Sequence, residues 1–406
     1  MGDLLLAWRN VWRNTRRSLL TMLAIAFASG LLVFMLSFQF GTYEDMINAS
    51  VKTTTGHLQI MAKGYNEKKR IRMTVNDTAG LKDLLRKDMH VKAFTGRDEA
   101  FVLAQAGNRT GGVMLMGINA SSERSVSGIN GRIIEGGYVG CCGRNNVIVG
   151  KLLADKLKLK IGTEITLLGQ GRDGSVAAAL LTVIGIFDTG FEEYDRNVMM
   201  IDKDDFDRLF YMDGSVHRIV VMMDSYRNIA ELKKKLADSG LMNGLEALSW
   251  DELAPGLRQG IELDLVSGFI MYGILVIVAA FSILNTFIMA VFERTHEFGV
   301  MLSLGTKPRR LVRVVMMESG FIGFIGLALG IFAGSAVTLH YARVGIFMQG
   351  MELMEQYGLS GTLYPKLTLL SASIGPCIVA FVTFLAALYP AVKVAGLKAA
   401  EAMKAV

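Results

Sequence analysis

The sequence predicts an α-helical membrane protein with four transmembrane helices and an α+β extracytoplasmic domain inserted between helices one and two. Three observations predict it. Four apolar runs, 19–40, 265–292, 314–339 and 367–389, each reach the length of about 20 residues that a helix needs to cross a bilayer. Arginine and lysine crowd the same side of these runs, as they do on the cytoplasmic side of membrane proteins. Between the first and second runs, segment 44–264 alternates short strand-like and helix-like patterns, enough chain for a domain with its own core.

Composition agrees. Of the 406 residues 51% are apolar, and the mean hydropathy of +0.38 is too high for a water-soluble chain of this length. The 44 glycines suit close helix approach, and the 24 methionines suit adaptable apolar surfaces. Cys141 and Cys142 are adjacent and Cys377 sits in an apolar run, so no disulfide framework is readable.

Residues 1–17 form the first element, an amphipathic helix in the membrane interface. Leu5, Trp8 and Trp12 fall at i, i+3 and i+7 with arginines between them, which sets the indole rings at headgroup depth. Residues 18–43 hold the first span. Its uncharged run is too long for a signal-peptide core, and Phe38, Gln39 and Phe40 stand where a cleavage site needs small residues. Residues 44–264 are the outer domain, and residues 265–406 carry the other three spans.

Orientation follows from Arg9, Arg13, Arg16 and Arg17 before span one, from Arg294, Lys307, Arg309, Arg310 and Arg313 between spans two and three, and from Lys393, Lys398 and Lys404 after span four. Between spans three and four, Arg343 and Lys366 are offset by Glu352 and Glu355. Both termini and the second–third loop are therefore expected in the cytoplasm. The net charge of +6 faces anionic headgroups and a cytoplasmic partner, not nucleic acid. Span three carries Gly320, Gly323, Gly326, Gly330 and Gly334, several on one strip, predicting close packing on a neighbour. Glu318 lies one turn from the basic loop and is expected in an interfacial ion pair rather than a proton relay.

In the outer domain, strands are expected over 56–60, 100–105, 112–117, 146–149, 164–168, 180–187, 198–201 and 216–223. Helices are expected over 80–87, 151–157, 203–211 and 227–236. Several motif matches fail on context. The stretch Gly169 to Gly174 fits G-x-G-x-x-G, yet a strand follows it instead of a helix, so it reads as a hairpin turn. Gly150-Lys151 resembles the end of a phosphate loop, but Leu152 replaces the required Ser or Thr and Asn145 replaces the first glycine. Leu-Ser-Gly at 359–361 lies in an external loop. His57, His90, His217, His296 and His340 are scattered without metal-ligand spacing. The chain shows no catalytic constellation and is expected to be a non-catalytic subunit without its own cofactor.

Segment 292–311 reads FERTHEFGVMLSLGTKPRRL. It resembles the cytoplasmic loop of the MacB/FtsX-like ABC transporter permeases, whose E-I-G and A-L-G appear here with Phe298 for Ile and Ser303 for Ala. The stretch from Tyr389-Pro390-Ala391 to Glu401-Ala402-Met403 is similar to the family's ending, without its second proline. Segment 147–187 is similar to the family's periplasmic core. Gly56-His57-Leu58-Gln59-Ile60 followed by Gly64-Tyr65, and the lack of a fused ATPase, resemble the lipoprotein-releasing (Lol-type) transmembrane branch.

The resemblance implies a multi-pass permease in the bacterial inner membrane. It would couple hydrolysis of ATP, bound with Mg by separate ATPase subunits, to extraction of lipoproteins or other amphiphiles. A second permease copy or a paralogue and a periplasmic acceptor protein are the further partners implied. The alternatives are a mechanotransmission permease, for efflux or control of a periplasmic hydrolase, and a receptor or anchor without energy coupling. On physical grounds a short helix over 293–305, projecting from the membrane and flanked by charge, can dock into a cleft of an ATPase. Glu293, Arg294, His296 and Glu297 are the expected polar contacts, Phe298, Met301 and Leu302 the apolar anchors, and Gly305 the boundary. Phe34, Phe38, Val266 and Ile270 are the expected lining of an acyl-chain cavity.

Overall fold

The computed structural model describes residues 2–76, 78–140, 143–347 and 362–396. Cys141, Cys142, Glu352, Glu355, segment 359–361, Lys398, Lys404 and the 401–403 ending lie outside them. The described residues form two compact units, a helical one (2–44, 261–347 and 362–396) and an α+β one (45–260).

The chain starts with α1 (Gly2–Arg13), turns at Asn14 and continues as α2 (Thr15–Ser50), which runs into a π-helical turn, Val51–Thr55. Arg16 and Arg17 therefore belong to the first span's helix and not to a separate element ending at 17. The Ser18 N–H donates to the Asn14 carbonyl at 3.1 Å, so the first turn of this helix closes around them. α1 buries Ala7 and Val11 and exposes Leu4, Leu5, Trp8 and Trp12, the two-faced pattern of an interfacial helix.

The α+β unit is built on one ten-stranded sheet. Its strands are β1 (Leu58–Ala62), β2 (Val91–Ala106), β3 (Arg109–Ile118), β4 (Ile133–Gly136), β5 (Asn146–Gly150), β6 (Glu164–Gln170), β7 (Val176–Phe187), β8 (Val198–Asp202), β9 (Arg218–Met223) and β10 (Leu245–Ser249). They run in the order β10-β1-β9-β2-β3-β8-β5-β7-β4, with β6 joining β2 and β7. The interleaved helices are α3 (Tyr65–Lys68), α4 (Ala79–Lys87), α5 (Ala120–Val126), α6 (Lys151–Leu157), α7 (Glu192–Asn197), α8 (Lys203–Phe210), α9 (Ile229–Asp238) and α10 (Trp250–Leu253).

Long β2 serves both halves of the sheet. Residues 91–97 pair with β9 and residues 97–106 with β3, so it begins well before the expected 100. β10 was not expected because Leu-Glu-Ala-Leu-Ser is only half buried, an edge strand paired to β1 alone. Gly107, at φ 54°, opens the two-residue β2–β3 turn, a position of positive φ that glycine adopts without strain. The G-x-G-x-x-G stretch lies at the turn joining antiparallel β6 and β7, with Gly169 opposite Ala177.

One core packs Leu58, Ile60, Leu81, Leu85, Ile219 and Leu232 between α4, α9 and the β1–β9 side. Another gathers Val102, Leu115, Val149, Leu167, Phe206 and Phe210. Along β2 three charges are buried with partners. Arg97 makes a two-point bond to Glu123 (2.6 and 3.2 Å), Asp98 meets Lys203 at 2.6 Å, and Glu99 meets Arg218 at 2.5 Å. Burial alone would pull the Arg97 guanidinium down; the Glu123 carboxylate more than offsets this and holds it above its usual range.

His57 is buried, and its Nδ1 accepts the Met223 N–H at 3.2 Å, which requires the neutral ring. Burial pushes its pKa down to about 4. The sign is therefore fixed: the contribution is present above about 6.5, the ordinary value, and is lost as pH falls toward 4, because the unfolded chain takes up the proton first. Asp195, pushed up to about 6 by burial, titrates in the same window with the opposite sign. It cancels when wild type is compared with His57→Gln. Wild type should lose thermal stability relative to that variant between pH 6.5 and 4, as followed by circular dichroism of the full chain in detergent. Parallel curves would remove this assignment.

The chain continues as α11 (Pro255–Phe292), α12 (Thr295–Ser303), α13 (Pro308–Val344), the short pair β11 (Ile346–Phe347) and β12 (Thr362–Leu363), and α14 (Leu369–Ala395). α2, α11, α13 and α14 are long and apolar enough to cross a membrane. Small residues decide how α2 packs. A Cβ on Gly326 would lie 2.9 Å from Ile25, on Gly330 2.6 Å from the Ala26 carbonyl, on Gly334 2.6 Å from the Gly30 carbonyl, and on Gly375 2.7 Å from Leu32. A Cβ on Gly323 would lie 3.2 Å from the Thr383 methyl of α14. Gly320 meets nothing within 4 Å, so the glycine seam begins one turn later than expected.

The seam between α2 and α11 is polar. Tyr43 donates to Asp264, and Gln39 donates to Asp264 at 3.1 Å and accepts from Tyr272 at 3.0 Å. Asp264 is thereby bound into the helical unit, and the boundary falls at 260 rather than at 264, where apolarity begins.

Candidate functional site

The candidate site is the basic end of the helical unit, around α12. Thr295–Ser303 is helical and ends in a Schellman turn: the Gly305 N–H reaches the Leu302 carbonyl and the Thr306 N–H the Met301 carbonyl, both at 3.0 Å. Gly305, at φ 86°, supplies the left-handed residue that this turn needs, and Pro308 opens α13 three residues on.

Phe298 points inward, contrary to its expected role as an anchor for a partner. It is 2% exposed and packs with Val291, Leu311, Val315, Ala391 and Val394, so it fastens α12 to α13 and α14. Met301 and Leu302 are partly buried against the same cluster. The apolar side chains turned outward here are Val300 of α12 (39% exposed) and Leu304, the residue that caps its C-terminus (81% exposed).

The expected polar contacts are also largely spoken for. Arg13 binds both Glu297 oxygens at 2.6 and 2.8 Å, and Arg17 binds Glu293. Buried Arg294 spans Glu297 (3.2 Å) and Glu318 (2.7 Å) and lies over the Phe298 ring, 5.2 Å from its centre. Glu318 is thus ion-paired, as its position one turn from the basic loop led one to expect. Partial burial would raise Glu297; the bonds from Arg13 and Arg294 hold its carboxyl below the usual range. His296 stays exposed. Asp3 of α1 adds a bridge to Arg310 at 2.7 Å, and Trp8 meets Phe321 edge-on at 5.4 Å.

The network joins α1, α2, α12 and α13 into one block beside a cavity of about 20 Å³, room for roughly a single water. The pairs made by Arg13, Arg17 and Asp3 join residues hundreds of positions apart, so no local motif announces them. The i, i+4 spacing of Val300 and Leu304 is readable in the sequence, but the side to which it turns is not.

The four expected cargo residues separate into two pairs. Phe34 and Phe38 stack on α2 at 6.4 Å, and Phe34 also meets Tyr341 of α13 at 6.0 Å. Val266 and Ile270 stand 59% and 62% exposed on α11. Residues this open close a cavity only against another surface.

Comparison with known proteins gives this arrangement its family. The MacB-like periplasmic core domain matches residues 18–239, and the FtsX-like permease C-terminal domain matches residues 269–399. The chain is 25% identical to the lipoprotein-releasing system transmembrane protein LolC of Neisseria meningitidis serogroup B, over 97% of this chain and 95% of that protein. It is 26% identical to the ABC transporter permease YtrF of Bacillus subtilis, over 81% and 82%. Among solved structures, the periplasmic region of MacB from Actinobacillus actinomycetemcomitans is similar at 13% identity and a TM-score of 0.37, covering 53% of this chain and 97% of that one. The chain belongs to the ABC transporter permeases that join a MacB-like periplasmic core domain to an FtsX-like C-terminal permease.

Proposed function

We propose that this chain is the membrane subunit of an ATP-driven extractor of lipoproteins from the bacterial inner membrane. As an ABC permease it works with an ATPase partner, which binds the ATP and Mg. The observation that carries the reading is α12: with the turn after it, it presents Val300 and Leu304 outward while Phe298 and the arginine–glutamate network root it in α1, α2, α13 and α14. A push on such a helix reaches the spans rather than dissipating in a loose loop. In this reading the basic end and both termini face the cytoplasm.

The lipoprotein cargo is supported by the near full-length similarity to LolC. It is supported too by the open apolar face of α11, where Val266, Phe269, Ile270 and Ile274 await a second permease copy or an acyl chain. A periplasmic acceptor would take the released lipoprotein. The test is reconstitution of the chain with its ATPase in vesicles that hold a triacylated lipoprotein. ATP-dependent appearance of that protein in the soluble fraction, with acceptor present, is expected. Hydrolysis without release would replace extraction by mechanotransmission to an external partner.

A further inference from the structure

The α+β unit contains a cavity of about 870 Å³ that neither the fold nor the coupling network uses. It is of the size of small-ligand sites. Its floor is the stretch of β2 and β3 where Phe101 pairs with Met114, with Met116 beside them. One wall carries Thr55 and Arg218. The Thr55 hydroxyl and the Arg218 Nε are buried and have no hydrogen-bond partner, although Thr55 is 9% exposed and the rest of the Arg218 guanidinium is engaged by Gln59 and Glu99. Most charge around the cavity is balanced in pairs, Arg97 with Glu123, Arg218 with Glu99, and Arg196 with Glu192, and the remaining lining charges, Lys69 and Glu193, are of opposite sign.

We propose that this cavity binds an extended, largely uncharged polypeptide segment. Buried donors without acceptors cost about 1–3 kcal/mol each. Peptide carbonyls relieve that cost, whereas a hydrocarbon chain laid over them preserves it. Paired charges give no surplus to attract a phosphate or another strong anion. Methionines in the floor adapt to side chains of different shape, which makes the recognition tolerant of sequence. The inference does not depend on lipoprotein release, since the cavity is read with no cargo or ATP present.

Gly112 offers a clean test. It lines the cavity, and a Cβ added there meets nothing within 4 Å, so Gly112→Phe introduces a bulky side chain at the lining with no clash at its Cβ, and circular dichroism of the variant checks that the fold is kept. The full chain in lipid nanodiscs is titrated with a fluorescein-labelled dodecapeptide of serine, glycine, asparagine and alanine with two leucines, and polarisation is read. Saturable binding is expected, weakened by about tenfold or more in Gly112→Phe and by roughly three- to tenfold in Thr55→Val, with no competition from palmitate. Absence of saturable binding to the wild-type chain, or equal affinity for Gly112→Phe, overturns the proposal. Competition by palmitate with the same sensitivity to Gly112→Phe assigns the cavity to an acyl chain and overturns it as well.

Discussion

Changing Val300 and Leu304 together to aspartate is expected to detach the ATPase and abolish ATP-driven release while the helical unit stays folded. Both side chains face outward, so their loss leaves the cluster around Phe298 intact. Burial of such a side chain at an interface stabilises docking by roughly 1.5–3 kcal/mol, more than an exposed ion pair contributes. The pair together is thus worth more than about a hundredfold in affinity. Co-elution of the purified variant with the ATPase, and hydrolysis in reconstituted vesicles, measure it. Phe298→Asp should behave differently. A charge buried among Val291, Leu311 and Ala391 should lower the yield of folded protein itself. If V300D/L304D co-elutes and releases cargo normally, α12 is not the docking element.

The second large effect is expected at Gly330. Valine there drives its Cβ to 2.6 Å from the Ala26 carbonyl, a backbone atom that cannot swing aside, in a seam repeated at Gly326 and Gly334. Overpacking costs about 1–3 kcal/mol where side chains can adjust, and the rigid neighbour places Gly330→Val at or above the upper end. Gly320→Val lies on the same helix and meets open space. The two variants, compared by thermal unfolding in one detergent, should differ by many degrees, Gly330→Val being the lower. Equal stabilities would mean that α2 and α13 do not pack through this strip.

How far the sequence could be read varied with the range of the physics involved. Length and apolarity are local, so the four spans were legible, as was the hairpin around Gly169, where a strand must follow. Glycine spacing marked the right strip of α13 but did not say which residue first meets a neighbour, and Gly320 proved to lie outside the seam. In α12 the periodicity showed an apolar face without saying whether it turned inward or outward. Phe298 is the larger side chain and is used for anchoring within the chain, while the smaller Val300 is left exposed. The partners that α1 and α2 supply to Glu297 and Glu293 were not legible, because Arg13 and Arg17 lie 284 and 276 positions away. β10 escaped because an edge strand with one partner needs no strong alternation.

Arg13 and Arg17 have two employments. They belong to the basic cluster on which the expected orientation of the first span rests, and they neutralise Glu297 and Glu293 beside α12. Insertion and assembly are thereby linked: a first span that entered the wrong way round would leave two carboxylates without their counter-charges at the foot of α12 and Arg294 with more acid than it can match. A chain threaded the other way round would not assemble these pairs, so under the proposed function the loop that would receive force would also act as a checkpoint on threading.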